Sequence, residues 1–373
     1  MLTKGDDYPI HQTSDPIAYA GTDRNFYDRY FFNGYNRDGS IFFSTALGVY
    51  PHLNIMDGAF CLVYQGVQHN VRVSRHLGME RMDTRVGPLA VDVIEPLQSL
   101  RIRLDENDHG IRADIIFRGR ARVVEEPRFL RRIGPRTYMD YTRLTQNGMY
   151  EGWIEIRGER IELRPDGVWG TRDRSWGVRP IGTPDSQDFV PPTPAQFFWI
   201  WAPLNFDDAF SLLAVNADAQ GRPWNIGGVI GTLDDGPTEH FENCRTEIVL
   251  EPNSRHFAAT TLIYQHDDGG ETRIKLTPHW KFYMSGLGYL HPEWGHGVNN
   301  GPFAIGYDTI RTDEVTGFAL PYHTHIQAFV TAELIGPDGR TRLGSGVLEQ
   351  LVFGPYEPLG MKGLLDVPGG PVR

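Results

Sequence analysis

The chain has 373 residues, of which 40% are hydrophobic, 22% charged and 12% aromatic, enough for two domains that each bury a core. Its 36 Lys and Arg against 47 Asp and Glu leave a net charge of −11, which argues against general nucleic-acid or anionic-membrane binding. No stretch approaches the roughly 20 apolar residues of a membrane span. The N-terminus, Met1 to Asp7, has no apolar run of a secretory signal, and Cys61 and Cys244 fit no metal or redox spacing. These features predict a cytoplasmic protein with two buried free thiols.

In chain order, residues 1–25 are polar, carry Pro9 and Pro16, and read as an arm laid over the body. From Phe26 the texture changes to short apolar runs cut by glycine, such as 30–35 and 40–50. Val67, Val71 and Val73 fit one strand, and Leu100, Ile102 and Leu104 alternate with Arg101 and Arg103 in another. Ile154 and Ile156 face Ile161 and Leu163 across Arg157-Gly158-Glu159, the pattern of a hairpin. The arginines at 128, 131, 132 and 136 crowd one short run and read as a solvated loop. No long segment has apolar residues at helical spacing, while 42 Gly and 26 Pro supply the breakers that many short strands require. The fold class is all-β.

The chain also repeats itself. Leu53-Asn54-Ile55-Met56-Asp57-Gly58-Ala59-Phe60 resembles Leu204-Asn205-Phe206-Asp207-Asp208-Ala209-Phe210, and each copy follows an aromatic run ending in proline. Two copies of one β module are expected. Residues 180–194, with Pro180, Pro184, Pro191, Pro192 and Pro194, have no periodicity and read as the connection. The resulting division is an arm over 1–25, a β domain over 26–180, a linker over 181–195 and a second β domain over 196–373. Strands are predicted in the second half at 247–250, 258–264, 272–276, 327–334 and 346–353.

The first domain closes with Trp169-Gly170-Thr171-Arg172-Asp173-Arg174-Ser175-Trp176-Gly177-Val178-Arg179-Pro180. Read as a strand, it puts Arg172, Arg174 and Trp176 on one face and Asp173, Ser175 and Gly177 on the other. A carboxylate among guanidiniums and indoles is either a structural ion-pair plug or a site. As a site, Asp173 is the acid or base, Arg172 and Arg179 tune it, and Trp176 with Trp199 walls the cavity. Trp199 and Trp201 share a strand face and fill either a core or an apolar pocket. Tyr141 and Arg143 share a face, and Tyr141 is a candidate for the second proton-transfer group. His323 is another. His323-Thr324-His325 puts two imidazoles on one strand face, a spacing compatible with a metal, but no third ligand is placed and no metal is assigned. Tyr50, at the end of its aromatic run, is a candidate ligand contact. So is His296 in the glycine-rich loop 291–297, which can close over a ligand. No nucleophile elbow, phosphate loop or dinucleotide fingerprint is present, and no cofactor is expected.

The pattern Arg172-Asp173-x-Ser175-Trp176-Gly177-x-Arg179, with the glycine-bounded strand 346–354 as a weaker match, resembles the hydroxyneurosporene synthase (carotenoid hydratase) and AttH-like superfamily. The resemblance spans most of residues 26–356 in architecture and is motif-level in sequence. It implies two lipocalin-like antiparallel β-barrels or half-barrels and a cavity for a hydrophobic small molecule, with Asp173 and its arginines near an interdomain cavity. Relatives of that group include hydratases, cyclases and pericyclic catalysts. The implied function is an enzyme acting without a cofactor on a terpenoid, steroidal or aromatic molecule by acid–base catalysis, as a hydratase-like lyase or an isomerase or cyclase. The alternative is a carrier that binds such a ligand unchanged, and either form admits a homodimer.

Overall fold

The computed structural model describes residues 3–10, 17–19, 21, 23–184, 186–233, 236–315 and 321–368. Among them, regular structure is strand apart from four 3-10 turns, Lys4–Asp7, Met284–Leu287, Pro321–His323 and Glu357–Leu359. The chain divides into two compact units: Met1–Pro192 with Gly286–Ile310, and Thr193–Ser285 with Arg311–Arg373. Each is built on one curled antiparallel sheet, of 14 strands in the first and nine in the second.

The first unit opens with a meander of β1 (Phe26–Asn36), β2 (Phe42–Tyr50), β3 (Ile55–Tyr64) and β4 (Val67–His76). On its other side β1 pairs with Val168–Val178, which pairs with the long strand Arg136–Ile156. The predicted hairpin is present, with Ile154 opposite Ile161. Its turn residues Arg157 and Gly158 have φ of 51° and 84°, the two left-handed positions that a tight hairpin matching the sheet twist requires. The alternation of period two then sorts the side chains. Tyr30 and Phe32 of β1, Leu47 of β2, Phe60 of β3 and Val71 of β4 point into one apolar core with Ile102, Ile115 and Phe117. Burying each such side chain contributes roughly 1.5–3 kcal/mol, which is what fixes the register. The opposite face carries Arg29, Asp57, Arg72, Arg143 and Asp173.

Arg172 and Arg174 lie on the apolar side, and both are wholly buried. Each has a buried carboxylate partner. Arg172 donates to Asp7 at 2.5 Å and to Gln146 at 2.8 Å, and Arg174 pairs with Asp28 while stacking 4.0 Å from the Tyr30 ring. A guanidinium in an apolar core is tolerable only with such a partner. Residues 3–10 of the N-terminal arm are therefore pinned into the first unit: Asp7 is fully buried, and the Tyr30 hydroxyl donates to its carbonyl at 2.5 Å.

In the second unit, Phe197–Phe206, Ala209–Ala217 and Pro223–Thr232 form the meander. Phe197–Phe206 also pairs with Thr341–Phe353, followed by Ile326–Ile335, Glu271–Tyr283, Phe257–Gln265 and Cys244–Leu250. Its core gathers Phe198, Ile200, Leu213, Leu262, Ile274, Val330 and Leu348. The two copies of the internal repeat both fall at hairpins, between β2 and β3 and between Phe197–Phe206 and Ala209–Ala217. One local expectation is corrected. His323 and His325 do not share a strand face, because Pro321–His323 winds a 3-10 turn and the strand starts only at Ile326. No helix among the described residues is long and apolar enough to cross a membrane.

Candidate active site

On the polar face of the first unit, β1, β2 and β3 run side by side so that Arg29, Gly48 and Asp57 form one row. Glycine at the middle position leaves a gap in the row, and the Tyr50 ring lies across it. A Cβ at Gly48 would sit 2.4 Å from the Tyr50 hydroxyl. That hydroxyl donates to Asp57 Oδ1 at 3.1 Å. The other carboxylate oxygen, Oδ2, accepts the Gly297 amide at 2.7 Å. Gly297 has φ of 75°, and a Cβ there would meet Tyr50 at 3.2 Å and Leu53 at 3.0 Å, so this close approach needs glycine.

Burial raises the Asp57 carboxyl from 3.8 to about 6, against the Gly297 amide, Arg29 and Tyr50, which all favour its ionised form. An acid poised near neutrality is what proton transfer at physiological pH requires. Asp57 keeps one side on a small recess with about 10 Å³ of free space, where Arg72, Val73, Leu287, Trp294 and Asn300 also stand. That is room for about one water molecule beside the carboxyl and not for a ring. Arg72 is fixed by Asp308 at 2.7 Å, and Asp308 also accepts Asn70 at 2.7 Å. Burial opposes ionisation of Asp308, but His291, Arg72 and Asn70 hold it well below the usual carboxylate range.

The loop that brings Gly297 is held by its neighbour. Arg179 Nη2 donates to His296 Nδ1 at 3.0 Å, so the imidazole carries its proton on Nε2 and donates to the Leu287 carbonyl at 2.9 Å. The His296 carbonyl accepts the Gly182 amide at 2.7 Å. Arg29 donates to the Tyr289 hydroxyl at 2.9 Å and to the same Leu287 carbonyl at 3.2 Å. Burial works against its charge, but Tyr289, Tyr50, Asp57 and Asp173 together raise its pKa.

Of the residues singled out from sequence, Tyr50, Arg179 and His296 thus meet in one place, around an aspartate that the sequence reading passed over. Asp173 is partly buried on the same sheet face, opposite Phe31 and Thr145, and its charge acts on Arg29, Arg143 and Tyr27. Arg172 is on the other face of the strand, with Asp7, so alternation alone separates it from the carboxylate it was expected to tune. Trp176 lies on that other face too, opposite Asp28 and Thr142. Tyr141 stacks on Phe129 at 4.4 Å, and burial pushes its hydroxyl far above the ordinary phenol range, which makes it a poor proton donor. Arg143, 4.8 Å from the Phe129 ring, is held charged against burial by Glu126 and Asp173.

His323, Trp199 and Trp201 belong to the second unit. There Glu349 is a buried carboxylate with three donors: Trp199 Nε1 at 2.9 Å, His325 Nε2 at 2.8 Å and Gln327 Nε2 at 2.7 Å. Burial opposes its ionisation, but His325, Gln327 and Trp199 outweigh it and lower its pKa. Trp201 is buried and cross-strand from Glu349. His323 stands 5.3 Å from the Tyr283 ring, has its pKa lowered by burial, and accepts a hydrogen bond from His256 at its carbonyl. Among the described residues no three metal-ligating side chains converge. Burial raises both thiols, Cys244 to about 12.

Over residues 2–362 the sequence matches the profile of the family of unknown function DUF8625. No curated protein is similar in sequence. Solved structures share the fold. A Nitrosomonas europaea protein provisionally assigned as AttH aligns with a TM-score of 0.52 at 17% identity, over 89% of this chain and 94% of its own. Kievitone hydratase from Nectria haematococca aligns at 0.54 and 12% identity, over 87% and 88%. CghA in complex with Sch210972 aligns at 0.50 and 10%, over 89% of each chain. The architecture implied by the resemblance, two lipocalin-like antiparallel β domains, is present.

Proposed function

The chain belongs to the DUF8625 family of unknown function, and for this member we propose an enzyme that acts on a hydrophobic small molecule by proton transfer, with Asp57 as the transferring group. The observation that carries this is a carboxyl with a pKa of about 6 on the wall of a recess that also presents Leu287 and Trp294. Tyr50 and the Gly297 amide fix the direction of the carboxyl, Arg179 and His296 hold the loop that supplies that amide, and Asp173 is the counter-charge of Arg29 and Arg143. The reaction class is addition or removal of water, or isomerisation. In the first, neutral Asp57 gives its proton to one carbon of a double bond. Water bonds to the other carbon, and the carboxylate takes back a proton from that water. The enzyme is unchanged and the substrate has gained one water. In isomerisation the carboxylate instead removes a proton from a third carbon. That one solved relative of this fold bears the name of a hydratase supports the same class. No cofactor is required by either route.

The test starts from ligands extracted with organic solvent from protein purified from its own host, supplemented by a panel of polyenes, steroids and aromatics. Asp57→Asn is expected to abolish conversion and leave affinity within about threefold, because the amide keeps the shape of the acid but cannot move the proton. Full turnover in that variant, with loss in Asp173→Asn, would move the role to Asp173. Tight binding with no conversion by the wild type is the outcome for a carrier.

A further inference from the structure

The arginine run at 128–136 takes no part in the site above. It lies on the hairpin between Phe129–Ile133 and Arg136–Ile156, whose turn packs against residues 189–191. Arg136 Nη2 donates to the Pro191 carbonyl at 3.0 Å and its guanidinium covers the Phe189 ring at 4.5 Å. A Cβ at Gly134 would lie 3.7 Å from Pro191. The two segments thus form one surface, and its apolar residues face solvent: Val190 is 86% exposed, Phe189 44% and Leu130 39%. The hairpin carries Leu130 and Arg132 on one face and Arg131 and Arg136 on the other, with Arg136 against Phe189; Arg128 pairs with Asp140 at 2.6 Å, and Asp188 is exposed. A cationic patch with an apolar tip, on a chain whose net charge is −11, runs against the general character of the surface.

We propose that this patch docks the protein on an anionic lipid bilayer, with Val190, Phe189 and Leu130 entering the headgroup region and the arginines meeting lipid phosphates. The two contributions complement each other, since a few exposed apolar side chains or a few cations alone hold a protein only weakly and reversibly at a membrane. A polyanion such as RNA would use the arginines but not the aliphatic tip, so the exposed valine decides for lipid. This inference does not rest on the reading of Asp57, although an enzyme for apolar molecules gains from standing where they dissolve.

Flotation of the full chain with vesicles tests it, using phosphatidylcholine alone and phosphatidylcholine with about one third phosphatidylglycerol. The anionic vesicles are expected to carry the protein up and the neutral ones not, and salt at about 1 M should release it. Arg131→Gln and Arg132→Gln are each expected to weaken the vesicle affinity about fivefold, and Val190→Ser to weaken it further, with melting temperatures unchanged in all three. No flotation on anionic vesicles overturns the proposal. So does loss with the arginine variants alone while Val190→Ser binds normally and an RNA homopolymer competes, which would make the patch a general polyanion surface.

Discussion

Replacing Asp57 by asparagine gives a stability signature that needs no substrate. In the folded protein the carboxyl titrates at about 6 instead of 3.8. Below pH 3.8 it is neutral in both states and its contribution to stability is complete. Between 3.8 and 6 the folded form keeps a proton that the unfolded chain has released, so stability falls as pH rises. Above 6 both are ionised, and the folded state carries a cost of about 3 kcal/mol, at about 1.4 kcal/mol per pH unit of separation. Asparagine never ionises and escapes this cost, but one of its two ends can no longer accept, so either the Tyr50 hydroxyl or the Gly297 amide loses its partner. That adds a constant penalty of about 1–3 kcal/mol. Asp57→Asn should therefore be less stable than wild type near pH 4 and equal or more stable near pH 8. The difference between the two proteins should change by about 3 kcal/mol across that range. Urea denaturation followed by tryptophan fluorescence at stepped pH reads it. A difference constant to within about 0.5 kcal/mol would show that Asp57 titrates like a solvated carboxylate, and the reasoning behind its role would fail.

Three further outcomes follow from the same geometry. Asp7→Asn leaves the Arg172 guanidinium in the core without its charged partner and should destabilise the first unit by about 3–5 kcal/mol, and truncation before Tyr8 should do the same in a thermal melt. Gly48→Ala places a methyl 2.4 Å from the Tyr50 hydroxyl and should push the ring off Asp57. Losing a donor to the carboxylate raises the Asp57 pKa further, which an NMR titration of the labelled carboxyl detects. In the second unit the folded Glu349 is held below its ordinary value of 4.5, so its contribution is present above that pH and is lost as pH falls through the lowered value. Glu349→Ala, which strands Trp199, His325 and Gln327 in a buried place, should lower stability by about 3 kcal/mol or more at pH 7 and remove that acid dependence.

The elements legible in the sequence were those set by neighbours along the chain. Alternation of period two gave the strands through Leu100 to Leu104 and Val168–Val178, and the Arg157-Gly158 pair gave a tight hairpin, because both signals are local. Alternation also placed Arg172 opposite Asp173, a separation that counts against their acting together. The site itself was only half legible. Tyr50, Arg179 and His296 stood out as an aromatic, a cation and a loop imidazole, but Asp57 was only one residue of the internal repeat. What makes it unusual is its burial, and the amide that fixes it comes from 240 positions away. A signal was available, since Asp57 is an acid on a strand of otherwise apolar residues facing a glycine in the preceding strand. The Asp7 and Arg172 pair, separated by 165 positions, had no local signature at all. Nor did the packing of Gly286–Ile310 with the first unit.

The most direct measurement of the central claim is deuterium incorporation. The wild-type protein is incubated in heavy water with the ligand it converts, and the product is read by mass spectrometry for deuterium bound to carbon. The Asp57 carboxyl exchanges its proton with solvent, so for addition of water or isomerisation the account predicts one carbon-bound deuterium per turnover, a rate that falls as pH rises above about 6 when the neutral acid begins the reaction, and no incorporation with Asp57→Asn; where the ligand loses water, the deuterium is read in the hydrated molecule formed by running the reaction in reverse. Water addition or isomerisation that proceeds with no carbon-bound deuterium, or incorporation that persists in the variant, would contradict it.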